Sequence, residues 1–257
     1  RSTATELNVL YWVASTYHSM GDSYGLGPNN QIAPDAKRYY GEAAKSFQDI
    51  LDRGKSGKLQ VEGQLQGQIG LQLAKTRRAM GEYDAAIKLF METLAKSPAL
   101  LSVQTEAAKT YEEWADRSGD SKYYLHAIQG SMENRTKKST VWGWAEIAKI
   151  TSGKPQFRDA FYEARYHVAL ARSKFAMNPK NAADKKKHLD AADQALGKTI
   201  QLYPNLEGNP AENQKAFRAK YDTLAKMLQK ALGKPEKGLA AYEQPAPPAA
   251  PATTAKK

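Results

Sequence analysis

The chain has 257 residues, with 38 Lys+Arg against 27 Asp+Glu, a net charge of +11, 41% hydrophobic residues and no cysteine. That length and apolar fraction suffice for a sizeable buried core, which excludes a wholly disordered chain. The absence of cysteine excludes a disulfide framework, a thiolate-bound zinc or iron–sulfur site and a thiol nucleophile, while leaving the compartment open.

Apolar residues recur mostly at intervals of three and four, the spacing of one face of a helix. Leu7, Leu10, Val13, Ala14 and Tyr17 predict a first helix that Gly21 ends in a left-handed conformation. Gly21 to Pro34, rich in Gly, Pro and Asn, reads as a loop, and Tyr40, Ala43, Phe47, Ile50 and Leu51 form the next stripe, stopped by Gly54 and Gly57. A long helix follows from Leu59 to Met80, then another from Tyr83 through Ala86, Phe90 and Leu94 to Pro98. Leu101 to Trp114 reads as a helix that breaks near Gly119 and is answered by Tyr124, Ala127 and Ile128. After the polar run 133–139 comes an extra apolar segment, Val141 to Ile150. Phe157 to Ala176 and Asp184 to Tyr203 make a further pair, and Asn213 to Leu232 a last helix with one apolar face.

Residues 234–257, with Pro-Ala-Pro-Pro-Ala-Ala-Pro at 245–251, bury too little surface to offset the entropy of ordering and predict a disordered tail. Period-two alternation and hairpin turns are scarce, so strands are not expected. No window approaches 18 uninterrupted apolar residues, so no transmembrane segment is expected. The amphipathic pattern begins within a few residues of Arg1, which predicts a processed protein or a piece of a longer one.

Between Gly67 and Pro98 stand Leu73, Ala74, Gly81, Tyr83, Ala86, Phe90, Leu94 and Pro98, and Leu101 starts the next unit 34 residues after Gly67. This pattern resembles a tetratricopeptide repeat, with its large-small pair, inter-helix glycine, aromatic, alanine, aromatic, leucine and closing proline. Three further pairs resemble it less closely, with Gly70, Arg77 and Ser131 departing from the family pattern. The resemblance implies an all-α, right-handed α-solenoid of antiparallel helix pairs spanning 1–233. Its hairpins fall at about 5–53, 59–98, 101–134 and 157–204, with an extra helix at 140–152 and a capping helix at 213–232. Small residues let helix backbones approach while Tyr83 and Phe90 fill the gaps between hairpins. The resemblance also implies a concave face lined by Tyr11, Ser15 and His18, then Gln68, Leu71, Lys75 and Arg78, then Thr105, Lys109 and Glu112, and finally Glu163, Tyr166 and Lys174. The Lys-and-Asn set with which some members of that family grip a terminal carboxylate has no counterpart here.

Motifs for chemistry are scarce. No His-Glu-x-x-His, nucleophile elbow, Walker A or EF-hand spacing occurs, so no enzyme, metal site or cofactor is expected. Gly25-Leu-Gly27 lacks the third glycine of a dinucleotide fingerprint, and Asp184 and His188 are only two ligands, separated by three lysines that repel cations. Asn134-Arg-Thr136 fits a glycosylation acceptor. Gly63, Gly67, Gly70 and Ala74 form a bare strip, against which either a neighbouring helix or a bound peptide is expected to lie. Trp142 and Trp144, two apart, cannot both be deeply buried on one helix face, and the segment is expected to act as a core plug between hairpins rather than as a ligand platform.

Charge is segregated. Residues 1–134 carry 15 Lys+Arg against 16 Asp+Glu, and residues 135–257 carry 23 against 11. Arg135, Lys137, Lys138, Arg172, Lys185, Lys186 and Lys187 mark a basic patch. Three classes of function compete: a non-enzymatic scaffold that binds a protein or acidic peptide on the concave face, a binder of nucleic acid or another anionic polymer, and a segment of a larger helical array or complex.

Overall fold

The computed structural model describes residues 2–27, 31–131, 140–208 and 212–243. Ten α-helices account for most of them: α1 (Ser2–Tyr24), α2 (Pro34–Lys55), α3 (Gly63–Ala79), α4 (Tyr83–Lys96), α5 (Leu101–Ser118), α6 (Lys122–Gln129), α7 (Gly143–Thr151), α8 (Arg158–Met177), α9 (Lys185–Leu202) and α10 (Glu212–Ala231). Among the described residues the only extended pairing is an isolated bridge between Leu26 and Ile32. The fold is an all-α helical-repeat solenoid. Helices α1 and α2, α3 and α4, α5 and α6, and α8 and α9 pack as consecutive pairs, and α2 meets α3 as α4 meets α5. The short α7 lies against α5, α6 and α8, and α10 closes the stack on α8 and α9.

Burial follows the predicted stripes. One cluster joins Ala14, Ala43, Phe47, Ile50, Ile69 and Leu73. A second joins Phe90, Leu94, Val103, Ala107, Trp144 and Ile147, and a third Leu196, Ile200, Tyr221, Leu224 and Leu228. The core is therefore a row of neighbour contacts, as stacking of units that cannot each cover both apolar faces requires. Phe90 is fully enclosed, and Tyr83 stacks on Trp114 of the following hairpin with ring centroids 6.0 Å apart. Trp114 in turn stacks at 3.9 Å on Tyr123, so aromatic contacts run from the second hairpin into the third.

Two expectations are corrected. Gly21 does not end α1; it lies inside the helix, where the Tyr40 ring would sit 2.5 Å from any added Cβ, so glycine is needed for close packing of α1 on α2. The left-handed turn falls to Gly25, at φ +58°. The second correction concerns the tail expected from residue 234. Residues 234–243 pack on α9 and α10 through a short 3₁₀ turn, Gly238–Ala241, with Leu239 buried. The Gln229 side chain accepts from Gly238 N–H and donates to its carbonyl, and Asp222 accepts from Leu239 N–H at 3.0 Å. Tyr242 donates its hydroxyl to Asp193, with its ring over Gly197. Residues 244–257 lie outside the described residues.

The ends of the stack differ. The outer face of α1 exposes Val9, Trp12 (67% exposed) and Met20, whereas that of α10 exposes Lys215, Lys226 and Lys230. No helix among the described residues is long and apolar enough to cross a membrane.

Candidate functional site

Two cavities combine size with residues singled out from the sequence. The larger, about 720 Å³, is a groove bounded by α2, α3, α4 and the start of α5. Leu51, Leu71, Leu89 and Leu100 give it an apolar lining; Gln64, Gln66 and Gln68 reach it from α3, and Lys55, Glu92 and Lys96 stand beside it. The glycine strip lies along the same groove. A Cβ added at Gly63 or Gly67 would meet nothing within 4 Å, and one at Gly70 only Thr93 Oγ1 at 3.6 Å. Among the described residues, packing therefore does not demand glycine at 63 or 67, whereas the second half of the strip meets the neighbouring helix α4, with Gly70 facing Thr93 and Ala74 buried in the cluster of Ala86 and Phe90. Each helix-interior glycine costs up to about 1 kcal/mol relative to alanine, and at Gly67 that cost produces a bare backbone facing open space. Four leucines with unobstructed backbone and amide side chains suit an extended chain, whose main-chain groups need donors and acceptors at intervals.

The smaller cavity, about 380 Å³, opens between α5, α7, α8 and α10. Thr105 comes from α5, Trp144 from α7, Asp159 and Glu163 from α8, and Asn213, Phe217 and Lys220 from α10. Trp144 is 1% exposed, while Trp142 is half-buried, so one indole serves as the plug expected from the spacing. The local backbone explains its placement. Gly143 adopts φ +67°, and a Cβ there would fall 2.3 Å from Gly130 N, so no other residue lets α7 start against the end of α6. Gln104, wholly buried on α5, donates to the carbonyls of Pro98 and Thr140 and accepts from Trp142 N–H at 2.8 Å.

Behind this cavity runs a chain of charged groups. Trp144 Nε1 donates to Glu112 Oε1 at 2.5 Å, and the indole stacks on the His167 imidazole at 4.4 Å. His167 places Nδ1 2.9 Å from Glu112 and Nε2 3.0 Å from Glu163. Lys220 donates to the other Glu163 oxygen at 2.6 Å and lies over the Tyr166 ring at 4.7 Å. Burial pushes the His167 pKa down, but the hydrogen bonds to Glu112 and Glu163 outweigh it and raise the pKa above 6.5. For Glu163, burial pushes the carboxyl up, yet its bonds from His167 and Lys220 hold it at about 2.

The residues expected on one concave face are thus divided by the structure. Gln68 and Leu71 line the groove. Thr105 and Glu163 line the smaller cavity, with Tyr166 against His167 and Tyr221. Glu112, only 6% exposed, is withdrawn from the surface because its partners are the Trp144 indole and His167. Tyr11, His18, Arg78 and Lys174 tie helices together. Tyr11 packs edge-on against Phe47, and His18 meets Thr76 Oγ1 at 2.9 Å. Arg78 binds Glu106 at 2.7 Å, Lys109 lies 3.6 Å from the same carboxylate, and Lys174 binds Asp116 at 2.7 Å. Lys75 is half-buried on α3.

Of the basic patch, Lys185, Lys186 and Lys187 are exposed at the start of α9, with Lys186 bound to Asp190, and Arg172 is half-buried on α8. Arg135, Lys137 and Lys138, like the Asn134 motif, lie outside the described residues. Asp184 and His188 do not converge on a metal site: His188 packs against Phe175 at 4.6 Å, and the described residues hold no group of three metal-ligating side chains. Sequence reasoning missed Gln104 and Lys220, a polar residue on a core face and a lysine on an amphipathic helix. Their partners, Thr140, Trp142 and Glu163, are remote in sequence. No protein-family model matches the chain, and no curated protein matches it.

Proposed function

We propose that this chain is a non-enzymatic scaffold of the tetratricopeptide type that binds an extended, acidic segment of another protein in the groove between α2 and α5. The observation that carries the reading is the glycine strip, kept bare along a cavity of about 720 Å³ although no atom of the described residues excludes a Cβ at Gly63 or Gly67. Lys55 and Lys96 beside the groove outnumber Glu92, which favours acidic side chains on the ligand, while the glutamines pair with its main chain.

Selection of random peptides on the wild-type protein, with counter-selection on Gly67→Leu, tests the reading. Acidic sequences that bind the wild type and are rejected by the variant are expected. Failure to select any peptide, or equal binding to the folded variant, would overturn it.

A second reading, the binding of nucleic acid or another polyanion, rests on the exposure of Lys180, Lys185 and Lys187 around the start of α9. It predicts RNA or DNA affinity that falls steeply with salt and is lost on charge reversal of Lys185 to Lys187.

A further inference from the structure

Glu112, buried, and His167 and Glu163, half-buried, form a hydrogen-bonded chain across two hairpins, and neither the groove nor the basic surface uses it. His167 on α8 has both ring nitrogens committed to carboxylates, one on α5 and one on its own helix. A ring that donates from both nitrogens is an imidazolium; the neutral ring donates from one and presents a lone pair from the other. Deprotonation therefore sets a lone pair against a carboxylate oxygen at about 3 Å. Glu112 bears most of the consequence. Its hydrogen-bond partners are Trp144 Nε1 and His167, and it is 6% exposed, so loss of the imidazolium leaves it buried without a cation. Glu163 keeps Lys220.

Among the described residues, Lys220 on Glu163 is the one cation besides His167 that is hydrogen-bonded to either carboxylate. From α7 the neutral indole of Trp144 covers the ring. From α10 come Lys220, bound to Glu163, and Tyr221, which donates its hydroxyl to the Tyr162 carbonyl. On α8 itself Tyr166 stacks edge-on, and Arg165 is committed to Thr199 and the Ala195 carbonyl. Further along α5, Asp116 is held by Lys174 and by Tyr124 of α6. On α9, Asp193 is bound by Lys234 and Tyr242.

We propose that Glu112, His167 and Glu163 are a proton-operated latch that holds the third hairpin against the C-terminal helices, closed while the imidazole carries its proton and released when it loses it. Of the three, Glu163 lines the cavity beside Trp144, together with its partner Lys220, so release also changes access to that cavity.

Nuclear magnetic resonance of the full chain, with labelled histidine and tryptophan, tests this between pH 5 and 9. The His167 Cε1 resonance is expected to titrate with a midpoint above 6.5, and the Trp144 indole N–H resonance to move with the same midpoint. Amide exchange at the α5–α8 contact, corrected for the intrinsic effect of pH, is expected to rise at least about tenfold across that midpoint, the effect of losing about 1.4 kcal/mol. Burial, the dominant cause for both, holds His18 and His188 below their ordinary range, so they titrate separately. Glu112→Gln is expected to lower the His167 midpoint, and His167→Gln to abolish the pH dependence of the Trp144 signal. A His167 midpoint at or below 6.5, a Trp144 resonance indifferent to it, or the same pH-dependent exchange in folded His167→Gln would each overturn the latch. If the glutamine variants fail to fold, the midpoint and exchange of the wild-type chain still decide.

Discussion

Single residues carry the fold where their contacts cross from one hairpin to the next. Phe90 is fully enclosed between the second and third hairpins, so Phe90→Ala should cost about 3–5 kcal/mol, measured by denaturant unfolding. Gly67 works in the opposite sense. Its Cβ position is empty, and Gly67→Ala should stabilise the chain by up to about 1 kcal/mol in the same measurement, through the lower backbone entropy of the unfolded state. A loss of stability there would mean that the strip serves internal packing. His167 and Glu163 both contribute to the pH response of folding. The pKa of His167 is raised by folding, so its contribution is complete below pH 6.5 and disappears as pH rises through the folded value. Glu163, held at about 2, contributes above pH 4.5 and loses that contribution as pH falls towards 2. Thermal unfolding should therefore show this pair's stabilisation between about pH 4.5 and 6.5, with His167→Gln removing the alkaline decline.

At the scale of elements, periodicity located all ten helices because each presents a stripe to its neighbours, and that stripe is written locally. Helix ends were legible where a left-handed glycine does the work, as at Gly119 with φ +67° after α5. One was misread where a glycine answers a distant side chain: Gly21 is small for Tyr40. The segment 234–243 looked featureless because its order comes from Gln229, Asp222 and Asp193 on two other helices. The insertion around α7 shows the same limit. Its tryptophan pair was visible in the sequence, but Gln104 and Gly143, which fix it, act through contacts 36 and 38 residues away and through a backbone approach to Gly130. Gln104→Leu strands the half-buried Trp142 N–H and Thr140 carbonyl, each costing up to about 1–3 kcal/mol, and should detach α7 from α5. Faster amide exchange in α7 than in α3 would report it.

Across the whole molecule the stack divides its tasks along its length. The first two hairpins frame the groove, the charge chain runs from α5 of the third hairpin to α8 and α10 beside the inserted α7, and the start of α9 carries the basic surface, with the 234–243 segment closing the stack. The candidate site was only partly legible for the same reason as the segment ends. Helical phase identified Gln68 and Leu71 on the groove, but assigned to one face residues such as Tyr11, Arg78 and Glu112 that serve as ties between helices. The most direct measurement is the affinity of a peptide selected on the wild type for three folded proteins: wild type, Gly67→Leu, and a variant with Lys185, Lys186 and Lys187 reversed to glutamate. Binding in the groove predicts a loss of at least about a hundredfold for Gly67→Leu, some 2.7 kcal/mol, and little change for the charge reversal. Unchanged affinity in Gly67→Leu, with the loss falling on the lysine variant, would contradict it.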